Sequence, residues 1–319
     1  MLGATGTIGR ATVRALVRGG YHVVCFVRPG SRPVLDYDSG QLDGAEYRFG
    51  DVTNAQSLVQ DGFRSEAFDV LLSCLASRNG GAEDAWRIDH RAHIDALAAA
   101  QVAGVGHVVL LSAICVQRPQ LAFQYAKLAF EEALIQSGTA YSIVRPTAFF
   151  KSLSGQVERV KNGKPFLVFG DGTLTACKPI GDDDLANYLA GCIDNHALHN
   201  RILPIGGPGP AITPQQQGDM LFALLGQKPR FKHVPVRLLD GIIGVLDFAG
   251  RFVPAAARKA DLARIGRYYA TESMLVLDPR TGRYDADATP STGTQTLFDH
   301  YQRLINGTVS VERGEHSVF

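Results

Sequence analysis

The chain has 319 residues, 45% of them hydrophobic and 20% charged, and 32 Lys+Arg against 31 Asp+Glu leave a net charge of +1. That balance excludes the basic footprint of a nucleic-acid binder, an acidic tail and a disordered chain, and the length suits one large or two modest domains. Five cysteines, odd in number and never spaced CxxC, with no signal peptide and no bilayer-length apolar run, point to a reducing cytoplasm.

The chain opens on Gly3, Gly6 and Gly9, a GxxGxxG turn followed at once by a helical pattern from Ala11 to Arg18. In a strand-to-helix turn the first glycine allows the sharp bend, the second lets backbone approach a pyrophosphate, and the third lets helix and sheet pack closely. The helix start then offers unpaired N–H groups to phosphate. Thr5, Thr7, Ile8 and Arg10 complete the expected cofactor loop. Only Met1 and Leu2 precede Gly3, so further residues are expected upstream to complete the first strand.

Tyr21–Val27 predicts the second strand of a parallel sheet, ending at Arg28. NAD enzymes carry a carboxylate about 20 residues past the glycine turn to grip the ribose hydroxyls. Here that place holds arginine, and no acid follows before Asp36. Arginine favours a 2′-phosphate through a charge-assisted fork, so NADPH is the expected cofactor, with Arg10 and Arg32 as helpers. The competing reading is a solvated surface arginine. The third strand is expected over 45–53, and in dehydrogenases of this type an Asp-Val pair at this point, here Asp51 and Val52, lies beside the adenine. A fourth, 68–77, ends in Cys74, Leu75 and Ala76, residues small enough for a cofactor to cross the carboxyl edge of the sheet. A helix over 84–103 leads to a fifth strand, 107–112, whose Ser112 either hydrogen-bonds near the nicotinamide or is a structural serine. Alternating strands and helices make the fold class α/β, a Rossmann-like doubly wound parallel sheet.

Residues 122–132, AFQYAKLAFEE, occupy the stretch where a short-chain dehydrogenase carries Tyr-x-x-x-Lys. Residues four apart share a helix face and residues two apart do not. Lys127 is therefore paired with Phe123, not with Tyr125, and the tyrosine acid is missing. Lys127 remains as the candidate catalytic residue, holding the nicotinamide ribose. A sixth strand, 141–146, ends at Pro146 and leads through Phe149, Phe150 and Lys151 into a smaller C-terminal substrate domain. The expected division is 1–150 for NADP binding and 151–319 mainly for substrate, with a strand near 201–207 returning to the main sheet. Residues 234–253 are amphipathic and apolar, suited to core burial, to a large flat ligand or to a membrane surface. His90 with His93 and His196 with His199 lack a third ligand at metal spacing, so no metal is expected.

The runs LGATGTIGRATVRALV, LLSCLASR, VVLLSAICVQRPQLAFQYAKLAFE and YYATESMLVLDPRTGRYDADATPSTGTQTLFDHY resemble the divinyl chlorophyllide 8-vinyl reductases, atypical short-chain dehydrogenases of plants and photosynthetic bacteria. The resemblance covers nearly the whole chain. It implies NADPH-dependent reduction of the C8 vinyl group of a divinyl chlorophyllide or protochlorophyllide to ethyl, in chlorophyll or bacteriochlorophyll biosynthesis. A planar tetrapyrrole with a propionate needs apolar walls and a cation. Phe123, Phe149 and Phe150 are candidates for the walls, and Lys151 or Lys178 for the cation. Peripheral membrane contact fits such a substrate. The rival readings are an isoflavone-reductase-like double-bond reductase and an NmrA-like NADP-binding redox sensor or assembly factor without catalysis.

Overall fold

Residues 1–30, 44–78 and 80–309 are described by a computed structural model; the expectation for Arg32 lies outside them. The apolar runs become parallel strands: β1 (Val24–Val27), β2 (Glu46–Phe49), β3 (Val70–Ser73), β4 (His107–Leu111) and β5 (Ala140–Pro146). The residues of β1 and β4 are buried throughout, the pattern of strands covered on both faces. The second half of the chain adds β6 (Phe166–Phe169), β7 (Arg201–Ile205) and β8 (Phe231–Val234).

Leu2 bridges β1 on one side and β3 on the other, so the strand stub before the glycine turn sits at the centre of the sheet. Its neighbours give the spatial order β2, β1, Leu2, β3, β4, β5, β7, all parallel. The order reverses at Leu2, and in open α/β sheets ligands bind at such a switch point. The Met1 ammonium lies buried there and donates to the Val24 carbonyl at 2.6 Å; burial lowers its pKa.

The helix Thr7–Arg18 covers one face and packs on the helix Asp182–Gly191 through Ala11, Ala15 and Ala186. The helix expected over 84–103 begins at Ala82, widens through Trp86–Ala92 and continues as His93–Val102. With Ala122–Gln136 it closes the other face, burying Ala96, Phe130 and Leu134 in one cluster with Leu71, Val108 and Leu110 of the sheet.

A second core is built on the two-stranded parallel pair β6–β8, with Phe166, Phe222, Leu297 and Tyr301 packed together. The chain does not cross between the cores once. It enters the second core at Phe150, returns to the sheet for Asp182–Gly191 and β7, and goes back for the helix Pro214–Leu224. A strap over 273–296 then lies along the sheet core and leads into the second core at Leu297: Gly206 donates to the Pro290 carbonyl at 2.8 Å, and Asp184 Oδ2 accepts from the Thr294 and Gln295 amides at 3.0 and 2.8 Å. Gly293, at φ +80°, has no room for a Cβ, which would lie 2.0 Å from the Asp184 carboxyl carbon. The helices Val236–Gly250 and Pro254–Thr271 form a hairpin, and no residue of the first is buried.

Candidate functional site

The three glycines have different causes. Gly3 adopts φ +73°, and a Cβ there would stand 2.5 Å from the backbone of Cys74 and Leu75. A Cβ on Gly9 would stand 2.0 Å from the Gly3 carbonyl oxygen. Both are demanded by the protein's own packing. Gly6 is not: its Cβ would meet nothing nearer than 3.5 Å. Gly6 is also the N-cap of Thr7–Arg18, with no side-chain cap and no acid in the first turn. The result is a backbone concavity with open space over Gly6 and a helix start free of competing carboxylates, the chemistry a dinucleotide pyrophosphate requires.

Lys151 reaches this turn. Its Nζ donates to Thr7 Oγ1 at 3.0 Å, which places the ammonium, offered by the sequence reading as a cation for a propionate, beside the helix start. Lys178, the other candidate for the propionate, donates to the Thr289 carbonyl at 2.8 Å and holds the strap. Phe150 departs from the sequence reading: it is buried in the second core and lies against His300, ring centres 5.2 Å apart, so it does not wall a cleft. Phe149 is half-buried at its bridge to Ile180.

Arg28 is exposed at the end of β1. Asp51, just past β2, accepts from the Thr53 amide and hydroxyl at 2.9 and 2.8 Å. Those bonds, then the charges of Arg87 and Arg28, hold its carboxyl below the usual range. Val52 is buried beside Leu58 and Phe26. After β3, Cys74 and Leu75 are half-buried and Ala76 is exposed; burial pushes the Cys74 thiol up to about 12, so it is a packed neutral group. Ser112 is buried and donates its hydroxyl proton to Glu131. Glu131 also pairs with Arg145 and so ties the ends of β4 and β5 together. Ser112 thus has a structural partner at the place assigned to a nicotinamide contact. Pro146 is buried at the carboxyl end of β5.

Lys127 projects from Ala122–Gln136 and is almost enclosed. Its Nζ lies 3.0 Å from Asp89 Oδ1, and the Asp89 side chain has no solvent exposure. The same Oδ1 accepts from the Ser77 amide at 3.3 Å, while Oδ2 is buried without a protein partner. Asp89 therefore joins the lysine to the loop that leaves β3. Below it, His93 Nδ1 donates to the Ile88 carbonyl at 2.9 Å and Nε2 accepts from Ser73 Oγ at 2.8 Å. Burial, reinforced by the Lys127 charge, lowers His93 to about 4, so the ring is neutral and the nearest cation is the lysine.

Tyr125 points elsewhere: it is exposed, and its hydroxyl donates to the Pro119 carbonyl at 3.0 Å. On the lysine's face stands Phe123, packed with Ile265 of Pro254–Thr271 in a cluster that includes Cys115, Tyr268 and Met274. A Cβ on Gly80 would touch both, at 2.9 Å from Ile265 and 3.6 Å from Phe123. The hairpin's second helix thus borders the site with apolar side chains. Asp89 is the functional residue that sequence reasoning missed. Its only signal was an acid one turn before His93 in an otherwise alanine-rich helix. Among the described residues no group of three His, Cys, Asp or Glu side chains could hold a metal.

The sheet order, the glycine turn and the free helix start define an NAD(P)H-binding Rossmann protein, and the NAD(P)H-binding family matches residues 3–196. At 50% identity over 100% of this chain and 79% of its own length, a relative from Cucumis sativus is named divinyl chlorophyllide a 8-vinyl-reductase, chloroplastic. A relative of the same name from Oryza sativa subsp. indica is 50% identical over 99% of this chain and 81% of its own. The chain belongs to the divinyl chlorophyllide a 8-vinyl-reductase family. Among solved structures, the NADPH-dependent quinone oxidoreductase QOR2 of Escherichia coli, in complex with NADPH, superposes with a TM-score of 0.69 at 18% identity, covering 96% of this chain and 99% of its own. That likeness is one of fold.

Proposed function

We propose that the chain reduces the 8-vinyl group of a divinyl chlorophyllide to ethyl, with NADPH as hydride donor. The observation that carries this reading is half-identity to named 8-vinyl-reductases along the whole chain, including the strap and hairpin that a generic dinucleotide-binding domain lacks. The turn around Gly3, Gly6 and Gly9, with Thr5, Thr7 and Ile8, holds the pyrophosphate against backbone N–H groups, and Lys151 adds a cation at the same place. Arg28 and Arg10 hold the 2′-phosphate, and Asp51 with Val52 flanks the adenine. The loop Cys74–Ala76 carries the cofactor across the sheet edge toward Lys127.

NADPH supplies the hydride. Conversion of –CH=CH2 to –CH2–CH3 needs that hydride on the terminal carbon and one proton on the inner carbon. The negative charge left between the two events spreads into the macrocycle, so no acid is required at a carbonyl oxygen. Phe123 in the tyrosine's place follows from that: the site needs an apolar wall that excludes water, and Phe123 with Ile265 provides one. Lys127, held by Asp89, orients the nicotinamide ribose and keeps a positive potential near the developing charge. The proton follows the hydride, from water or from another donor. The reaction takes place in the cytoplasm, with only peripheral contact to a membrane. Among the described residues no helix is long and apolar enough to cross one.

The test mixes the protein with NADPH and divinyl chlorophyllide and follows the pigment's Soret band. A blue shift that keeps pace with NADPH consumption supports the reductase. Tight NADPH binding with no spectral change overturns it in favour of a cofactor-binding sensor.

A further inference from the structure

The hairpin of Val236–Gly250 and Pro254–Thr271 leaves its apolar face open. Leu238, Ile242, Val245, Phe248 and Phe252 are 54%, 41%, 70%, 65% and 75% exposed. At 3.6 residues per turn these positions fall within an arc of about 120° on one side of the first helix and its extension. The acids Asp240 and Asp247 lie on the opposite side and are consumed by the second helix, through ion pairs with Arg267 and Arg264. Asp261 pairs with Arg264 as well, at 2.9 Å. The remaining charges are Arg237, Arg251, Arg258 and Lys259, all exposed, and among the described residues none of the four ion-pairs with a carboxylate. The most exposed apolar side chains are clustered at the turn between the helices, next in sequence to Arg251.

A scattered exposed leucine is ordinary, but a contiguous apolar stripe ending in two phenylalanines marks a contact surface. Its shape and charge select the partner. The stripe runs along an exposed helix face into the turn that follows, and among the described residues of the hairpin every charge without an ion pair is positive. An amphipathic helix with phenylalanine on one face and cations at its border lies in the interface of an anionic bilayer, its arginines reaching headgroups while its rings enter the acyl boundary. We infer that the 236–271 hairpin docks this protein onto an anionic lipid surface, with Val245, Phe248 and Phe252 inserted and Arg251, Arg258 and Lys259 on the headgroups. The biological use of the contact rests on the proposed function: an apolar macrocycle with a charged propionate gathers at bilayer surfaces, and Ile265 of the same hairpin borders Phe123 at the site.

Flotation of the full chain with vesicles of equal phosphatidylglycerol and phosphatidylcholine, and with pure phosphatidylcholine, tests the inference. Binding is expected on the anionic vesicles, at least tenfold stronger than on neutral ones and weakened by salt. F248S/F252S is expected to lose binding at least tenfold on anionic vesicles. R251Q/R258Q/K259Q is expected to lower it to the neutral level. Turnover of pigment dispersed without lipid is measured in parallel and should be the same for all three proteins, which separates this inference from the reductase reading. Three results overturn it: equal or no binding to both vesicles; a solution dimer that F248S/F252S turns into a monomer; or F248S/F252S that binds anionic vesicles like the parent while losing turnover on dispersed pigment.

Discussion

The glycine turn and the 236–271 hairpin are opposite solutions to the use of small and apolar residues. In the turn, Gly3 and Gly9 are set by contacts inside the protein, to within a carbon atom. In the hairpin's first helix not one side chain is buried, and its apolar face is turned outward. Gly6 belongs with the hairpin in this respect, although it sits in the turn: nothing among the described residues forbids a side chain there. Residues constrained from within hold the fold, and residues constrained only from without report what the protein meets.

The comparison breaks most readily at Gly9. Gly9→Ala puts a methyl group 2.0 Å from a backbone oxygen that cannot yield, and should cost about 5 kcal/mol, at the top of the usual range for single changes, and abolish NADPH binding. A urea midpoint within error of the parent would refute the packing argument. Asp89→Ala strands Lys127 as a buried cation and should cost about 4 kcal/mol. Asp89→Asn keeps the shape and should lower kcat/KM about a hundredfold, or about 3 kcal/mol, by releasing the lysine from its ion pair. A kcat/KM in Asp89→Asn equal to the parent's would remove Asp89 from its positioning role.

Acid should loosen the same inner region. His93 is neutral in the fold until about 4, whereas the unfolded chain takes up its proton near 6.5. The unfolded state therefore binds more protons between those values, and stability, complete above pH 6.5, falls as pH drops toward 4, by about 3 kcal/mol from His93 alone. Urea titrations at pH 7 and pH 4.5 measure it, and His93→Gln should flatten the slope. Gly6→Ala should leave stability within about 0.5 kcal/mol while raising the NADPH dissociation constant roughly tenfold, read by quenching of protein fluorescence. An unchanged constant would mean that nothing approaches Gly6. Smallest of all, Phe252→Ser should alter the urea midpoint by no more than about 0.5 kcal/mol, since it removes no buried contact.

Much of the sheet was legible because parallel strands read as short apolar runs with glycine stops, and each predicted strand through 141–146 has a counterpart shifted by a few residues at its ends. The four-residue spacing of Phe123 and Lys127, and the outward Tyr125, followed from helix geometry alone. What was not legible depends on distant partners. Phe150 and Phe149 are chemically identical neighbours, and only the second core decides that one is buried. Lys151 is drawn 144 residues back to Thr7, and Ser112 to Glu131 on the covering helix. Asp89 had no motif to announce it, because its role comes from a lysine 38 positions away reached across two helices.

The strap over 273–296 has a consequence for how the molecule comes apart. The sheet core and the second core exchange chain at Phe150, before Asp182, and after β7, and the strap, tied to the sheet core through Gly206 and Asp184, runs into the second core at Leu297. Neither core can melt without pulling backbone out of the other. Heating should therefore give one calorimetric peak, with equal calorimetric and van't Hoff enthalpies, where two domains joined by a single linker would give two.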